Sequence, residues 1–174
     1  MSSFYSRRLK YILGNFYGLG KQRVKELKYA ISSYPGCSHE CLDDFRDGPY
    51  GWEPVKINSI ACQKASKFNA SVIVTFDFFG VSGHRNHKSC SVITVPENEK
   101  VRVLYLESIS IFRKFWATLD LIPTCLGPKP FVVAGSWRSV RAMYYHKSQL
   151  VWFRALYIVF SRYMTINSFR TKCN

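Results

Sequence analysis

Apolar residues recur with a helical period near the start of the chain. Leu9, Ile12, Leu13 and Phe16 share one face over residues 8–16, and the run ends in Tyr17-Gly18-Leu19-Gly20. A second helix is predicted from Lys21 to about Ser33, with Val24, Leu27, Ala30 and Ile31 on its apolar face and Pro35-Gly36 to stop it. The pair forms a helix, a tight glycine turn and a helix. The middle of the chain is different in kind. Val72 to Phe79, Ser91 to Val95 and Val101 to Leu106 are short β-branched and aromatic runs, separated by Gly80 to Ser89 and by Pro96-Glu97-Asn98-Glu99, and they read as an antiparallel meander. A short helix with Ile109, Phe112, Trp116 and Leu119 on one face comes next, then a Pro- and Gly-rich connector from Pro123 to Pro130. After the brief run Phe131 to Ala134, Ser136 is a fair N-cap for a long helix reaching about Phe160, and residues 161–174 form a short basic tail.

These elements predict an α+β chain in three parts. Residues 1–36 are a helix-turn-helix, residues 37–130 an insertion holding the β meander and a short helix, and residues 131–174 the long C-terminal helix with its basic tail. An apolar fraction of 47% suffices for a packed core. The best apolar stretch, Leu150 to Phe160, is broken by Arg154 and is too short to span a bilayer, so no membrane partner is expected. Six cysteines occur without a disulfide-like framework or a secretory signal, which favours reduced thiols in an intracellular compartment and an idle sequon at Asn69-Ala70-Ser71.

Charge narrows the choice of partner. There are 25 Lys and Arg against 11 Asp and Glu, a formal charge of +14, which opposes self-association and favours polyanions, nucleic acid first. Arg7, Arg8, Lys10, Lys21, Arg23 and Lys25 precede the first carboxylate, Glu26, and from Leu121 to Asn174 there is no acidic residue. Carboxylates gather instead at Glu40, Asp43, Asp44, Asp47 and Glu53. The turn at Gly18 and Gly20 lets the backbone reverse and lets a phosphate approach the amides that open the second helix, where Lys21 and Arg23 add charge.

Two other chemistries compete. Cys37 and Cys41 frame His39, while His84, His87 and Cys90 lie three residues apart, so thiols and imidazoles from the two groups are candidate zinc ligands; neither is a Cys-x-x-Cys knuckle, and no metal or other cofactor is expected. The alternative places His84, Arg85, His87 and Lys88 in a basic hairpin loop facing phosphate or solvent. Asp77 sits in an apolar run with no acid or histidine paired to it by spacing and reads as structural. No phosphate loop, nucleophile elbow or paired-acid motif is present, so no enzymatic activity is expected.

The string Arg8 to Val24, with its Tyr-Gly-Leu-Gly turn and Arg23, resembles the N-terminal helix-turn-helix of the small-subunit ribosomal proteins called S-thirteen, whose usual form is Ile-Tyr-Gly-Ile-Gly. At the other end, Arg162 to Asn174, with Arg170-Thr171-Lys172, resembles that family's terminal Gln-Arg-Thr-Lys-Thr-Asn, and Trp152-Phe153-Arg154-Ala155-Leu156 its preceding Tyr-Arg-Gly-Leu. The family's dense Arg and His run is replaced here by Tyr157-Ile158-Val159-Phe160-Ser161, and residues 37–130 find no counterpart. The resemblance implies a structural constituent of the small ribosomal subunit head that binds ribosomal RNA, pairs with ribosomal protein S-nineteen and other head proteins, and lies near contacts to the large subunit. Arg7, Arg8, Lys10, Gly18, Gly20, Lys21, Arg23, Arg154, Arg162, Arg170 and Lys172 would then meet RNA. The aromatic and cysteine-rich composition suggests a mitochondrial matrix version. The other readings open on the residues are a helix-hairpin-helix DNA repair or maintenance protein and a zinc-dependent protein-binding module.

Overall fold

The computed structural model describes residues 19–42, 45, 50–96, 100–127, 131–135 and 137–171. In chain order the elements are α1 (Gly20–Ser32), α2 (Pro54–Lys67), β1 (Val72–Phe76), α3 (Gly80–Gly83), α4 (Arg85–Cys90), β2 (Arg102–Leu106), α5 (Ile111–Lys114), α6 (Leu121–Leu126), β3 (Phe131–Ala134), α7 (Trp137–Tyr145), α8 (Trp152–Phe160) and β4 (Ile166–Arg170). Single 3-10 turns lie at Ala117–Asp120, Lys147–Gln149 and Arg162–Met164. The chain divides into two compact units, one of Met1–Gly48, Phe112–Asp120 and Ala134–Ile166, the other of Pro49–Ile111, Leu121–Val133 and Asn167–Asn174.

In the first unit α1 packs against α7. Tyr29 stacks on Tyr145 with ring centroids 6.3 Å apart. The turn Tyr34–Cys37 that follows α1 closes through Cys37 N to Tyr34 O at 3.1 Å, with Pro35 and a positive-φ Gly36 in its centre, the residues a type II turn requires. The long helix expected to Phe160 is two helices. Between them the Ser148 amide and hydroxyl donate to the buried Glu26 carboxylate of α1 at 2.8 and 2.6 Å, which a continuous helix would forbid. The short helix expected around Phe112 is also interrupted: Ala117 has φ +47, so α5 stops after one turn.

The second unit holds the sheet, in the strand order β1-β2-β4-β3. β1 and β2 run parallel, from Val72 beside Arg102 to Phe76 beside Leu106, and β4 joins β2 antiparallel, with Tyr105 opposite Arg170. The antiparallel meander is therefore not formed. A parallel pair needs a crossover, and residues 77–101 provide it, with α3 and α4 where a hairpin loop was expected. The third expected strand, Ser91 to Val95, makes no ladder. Instead Thr94 N donates to Asn58 Oδ1 at 2.8 Å and Ile93 O accepts from the Tyr105 hydroxyl at 2.6 Å, so side chains of α2 and β2 hold it.

α2 carries Pro54 in its first turn and Lys64 and Lys67 in its last, which suits the helix dipole at both ends. It closes in a Schellman motif: Ala70 N donates to Ala65 O at 2.9 Å and Asn69 N to Ser66 O at 3.0 Å, with Asn69 at φ +48. The expected basic tail is not a tail, because residues 166–170 form β4, an inner strand with Ile166 and Ser168 buried.

Candidate active site

At the end of β1 the chain makes a turn that its own acid holds in place. Asp77 N still donates to Leu106 O at 3.2 Å, completing the ladder. One carboxylate oxygen of Asp77 accepts from Phe79 N at 3.1 Å, Gly80 N at 2.9 Å and Ser108 Oγ at 2.6 Å, and the other accepts from Ser108 N at 2.6 Å. Ser108 Oγ in turn accepts from Val81 N at 2.6 Å. Asp77 and Ser108 therefore clamp the first residues of α3 to the segment that follows β2.

That clamp supports a backbone that would otherwise be unfavourable. Gly80, Val81 and Gly83 have φ of +63°, +63° and +75°. Glycine tolerates this region, whereas a β-branched residue there is strained by an amount on the order of 1–3 kcal/mol. A Cβ on Gly80 would come within 2.9 Å of the His87 Cβ and 3.0 Å of Lys88 N, so this glycine is required by close approach as well as by φ. The turn thus presses directly on the helix that carries the histidines.

His84 and His87 stand at and just after the start of α4, with ring centroids 5.1 Å apart. His84 caps the helix: its Nδ1 accepts from Asn86 N at 3.3 Å. An accepting Nδ1 carries a lone pair, so in the neutral ring the proton is on Nε2. His87 is opposite in sense. Its Nδ1 lies 3.2 Å from Gly80 O, a group that can only accept, so Nδ1 holds the proton and Nε2 the lone pair. Phe76 stacks on the His87 ring at 4.2 Å with a 6° interplanar angle and fixes its plane. The partners assign one imidazole as an Nε2 donor and its neighbour as an Nε2 base, so one ring can donate a hydrogen bond while the other takes a proton.

Cys90 does not join them. Burial pushes its thiol pKa up, which keeps it protonated and a poor ligand or nucleophile, and its carbonyl accepts from the buried Thr75 hydroxyl at 2.7 Å. Among the described residues no group of three or more His, Cys, Asp and Glu side chains is placed to hold a metal. Cys37 and Cys41 are exposed and belong to the other unit. The zinc-module reading has no support in these positions.

The chain is 36% identical to the N-acetylglucosaminyl-phosphatidylinositol de-N-acetylase of Bos taurus, over 89% of this chain and 67% of the bovine protein. It belongs to that family. The Saccharomyces cerevisiae protein of the same name is 30% identical over 90% of this chain and 67% of its own length. No protein-family model and no solved structure matches.

Membership in the de-N-acetylase family corrects the functional expectations drawn from the two chain ends. The relatives are named for an enzyme acting on a phosphatidylinositol glycolipid, so the ribosomal resemblance, the non-enzymatic role, the ribosomal RNA and S-nineteen partners and the mitochondrial placement that rested on them are withdrawn, as is the DNA-repair alternative. Of the residues expected to meet RNA, Arg7, Arg8, Lys10, Gly18 and Lys172 lie outside the described residues. Gly20 is buried at the start of α1, Lys21 is exposed and Arg23 half-buried on the same helix. Arg154 donates to Gln149 Oε1 at 2.8 Å, Arg170 pairs with Glu107, and Arg162 is fully buried against Asp120. Of the described ones, Gly20, Lys21, Arg23, Arg154 and Arg162 belong to the first unit and Arg170 to the second. In the sequence His84 and His87 read either as zinc ligands or as part of a basic loop facing phosphate or solvent, and Asp77 as a structural acid. The available signal was the order strand, acid, two glycines and two histidines three apart, all within residues 72–87.

Proposed function

We propose that this chain hydrolyses the acetamide of an N-acetylglucosaminyl-phosphatidylinositol, with His87 acting first as general base and then as general acid, and His84 donating a hydrogen bond to the oxyanion. The observation that carries the reading is the pair of neighbouring imidazoles whose Nδ1 atoms are committed in opposite senses. In the reaction His87 Nε2 takes a proton from water as the water oxygen bonds to the acetyl carbonyl carbon. His84 Nε2–H donates a hydrogen bond to the oxyanion that forms, and the protonated His87 then gives its Nε2 proton to the glucosamine nitrogen as the C–N bond breaks. Acetic acid and the free amine leave, and both imidazoles are back in their starting protonation states. The role of Asp77 and Ser108 is to hold the turn whose Gly80 carbonyl fixes the His87 tautomer.

Positioned acid–base groups contribute roughly 10²–10⁴-fold to such reactions. Acetate release from the glycolipid by the purified chain should therefore fall by about that factor in His87→Ala and in His84→Ala. A His87→Ala variant that is folded and releases acetate at the unmodified rate overturns the assignment.

A further inference from the structure

Helix α8 is apolar on the side that meets solvent. At the 100° advance of an α-helix, Val159, Trp152, Leu156, Phe160 and Phe153 fall within an arc of about 120°. All five are between 48% and 76% exposed, while Ile158, roughly opposite, is buried. A water-facing helix carries polar residues on that side. The one charged residue of α8, Arg154, is instead half-buried and bonded to Gln149. A recess of about 820 Å³ borders the helix, lined by Phe115, Met143 and Tyr157 among others.

The neighbouring charge says what covers this face. α7, in the same unit, exposes Trp137, Arg138, Arg141 and Tyr144, and Lys147 is exposed in the following turn. No carboxylate occurs from Leu121 to Asn174. A second copy of the chain would bring like charges together, on a molecule that already carries +14. Aromatic residues beside arginine and lysine, with acids absent, are the composition of a helix lying in the interface of an anionic bilayer. Among the described residues no helix is long and apolar enough to cross a membrane, so the contact is with the surface layer.

We infer that α7 and α8 seat this chain on an anionic phospholipid surface, the outer face of α8 entering the acyl boundary and Arg138, Arg141 and Lys147 meeting headgroup phosphates. The inference is independent of the hydrolytic reading and is tested without substrate. The full chain is co-sedimented with phosphatidylcholine vesicles with and without phosphatidylserine, at low and high salt. The chain should sediment with the anionic vesicles and release with salt. Phe153→Glu combined with Phe160→Glu should weaken this at least about tenfold by removing the inserted face. Arg138→Glu with Arg141→Glu, which leaves α8 intact and covers the case that the first variant misfolds, should weaken it about tenfold or more. Leu126→Glu, at an exposed position of the other unit, should leave it unchanged. Equal binding to neutral vesicles, unaltered binding by both double variants, or a stable dimer that the α8 variant abolishes would overturn the proposal.

Discussion

Removing the carboxylate of Asp120 should destabilise the chain more than any surface charge change, because it strands a buried cation. The Asp120 and Arg162 side chains are both 0% exposed, and Arg162 Nε donates to Asp120 Oδ2. Arg113, whose side chain is 34% exposed, donates Nε to the other oxygen at 2.6 Å. Deleting one partner of a buried pair costs on the order of 3–5 kcal/mol, since the other is left charged and desolvated. The partly solvated Arg113 contact adds at most about 1 kcal/mol. Asp120→Ala should thus lose about 4 kcal/mol; with a urea m-value of roughly 2 kcal/mol/M, the midpoint moves down by about 2 M. The combined change Asp120→Leu with Arg162→Met leaves no unpaired charge and should recover most of the loss, a coupling that a double-mutant cycle reads directly. Trp116 and Trp152 report on the same unit by fluorescence. A loss below about 1 kcal/mol for Asp120→Ala, or additive single and double changes, would refute the argument that Arg162 is an internal cation.

Gly80→Ala places a Cβ at 2.9 Å from the His87 Cβ on a residue with φ +63°. It should cost about 1–2 kcal/mol of stability and lower acetate release by up to about 100-fold, because a misplaced catalytic group loses far more rate than stability; an activity loss no greater than the unfolded fraction would refute the placement. Burial pushes the Glu26 pKa up, but hydrogen bonds from the Ser148 hydroxyl, the Ser148 amide and Gln22, with His146 nearby, outweigh it and leave the carboxyl below its ordinary value of 4.5. A depressed folded pKa means stability that is present above the ordinary value and lost as pH falls through the folded one. Glu26→Gln should be less stable near neutrality and should narrow its deficit as acid is added, measured by urea midpoints across pH; a constant deficit would show that Glu26 does not titrate against folding.

Local signals were legible wherever a single segment decides its own structure. Apolar periodicity and Pro35-Gly36 place the helix that runs Gly20–Ser32, and the β-branched runs at 72 and 101 mark β1 and β2. What was not legible depends on partners far along the chain. The break between α7 and α8 is imposed by Glu26, 122 residues before Ser148, and the burial of Arg162 by Asp120, 42 residues before it. Strand direction followed the same limit: Gly80 to Ser89 reads as a connector between antiparallel strands, and only the Asp77 clamp and the His84 cap show why it winds into helices on the way to a parallel β2. The ribosomal resemblance joined two short motifs at the ends, of a kind that a glycine turn and a basic terminus produce without kinship. The relatives align over nearly nine-tenths of the chain, which includes residues 37–130 that the resemblance left unmatched.

The excess of positive charge pointed to a polyanion, and the placement of that charge decides which kind. An RNA-binding tail needs its arginines extended from the surface, yet Arg154, Arg162 and Arg170 are engaged by Gln149, Asp120 and Glu107. Arg138, Arg141 and Lys147, exposed cations of the same acid-free stretch, sit in or beside a helix that exposes Trp137 and Tyr144, one step along the chain from the apolar face of α8. A phosphate backbone would neutralise the cations and leave that face in water, where every exposed Å² of apolar surface costs roughly 25 cal/mol. A bilayer presents phosphates and hydrocarbon within a few ångströms of each other and satisfies both requirements at once. On the proposed activity it is also where a phosphatidylinositol substrate would be met, so the charge that suggested a nucleic acid is accounted for by the surface that holds the lipid.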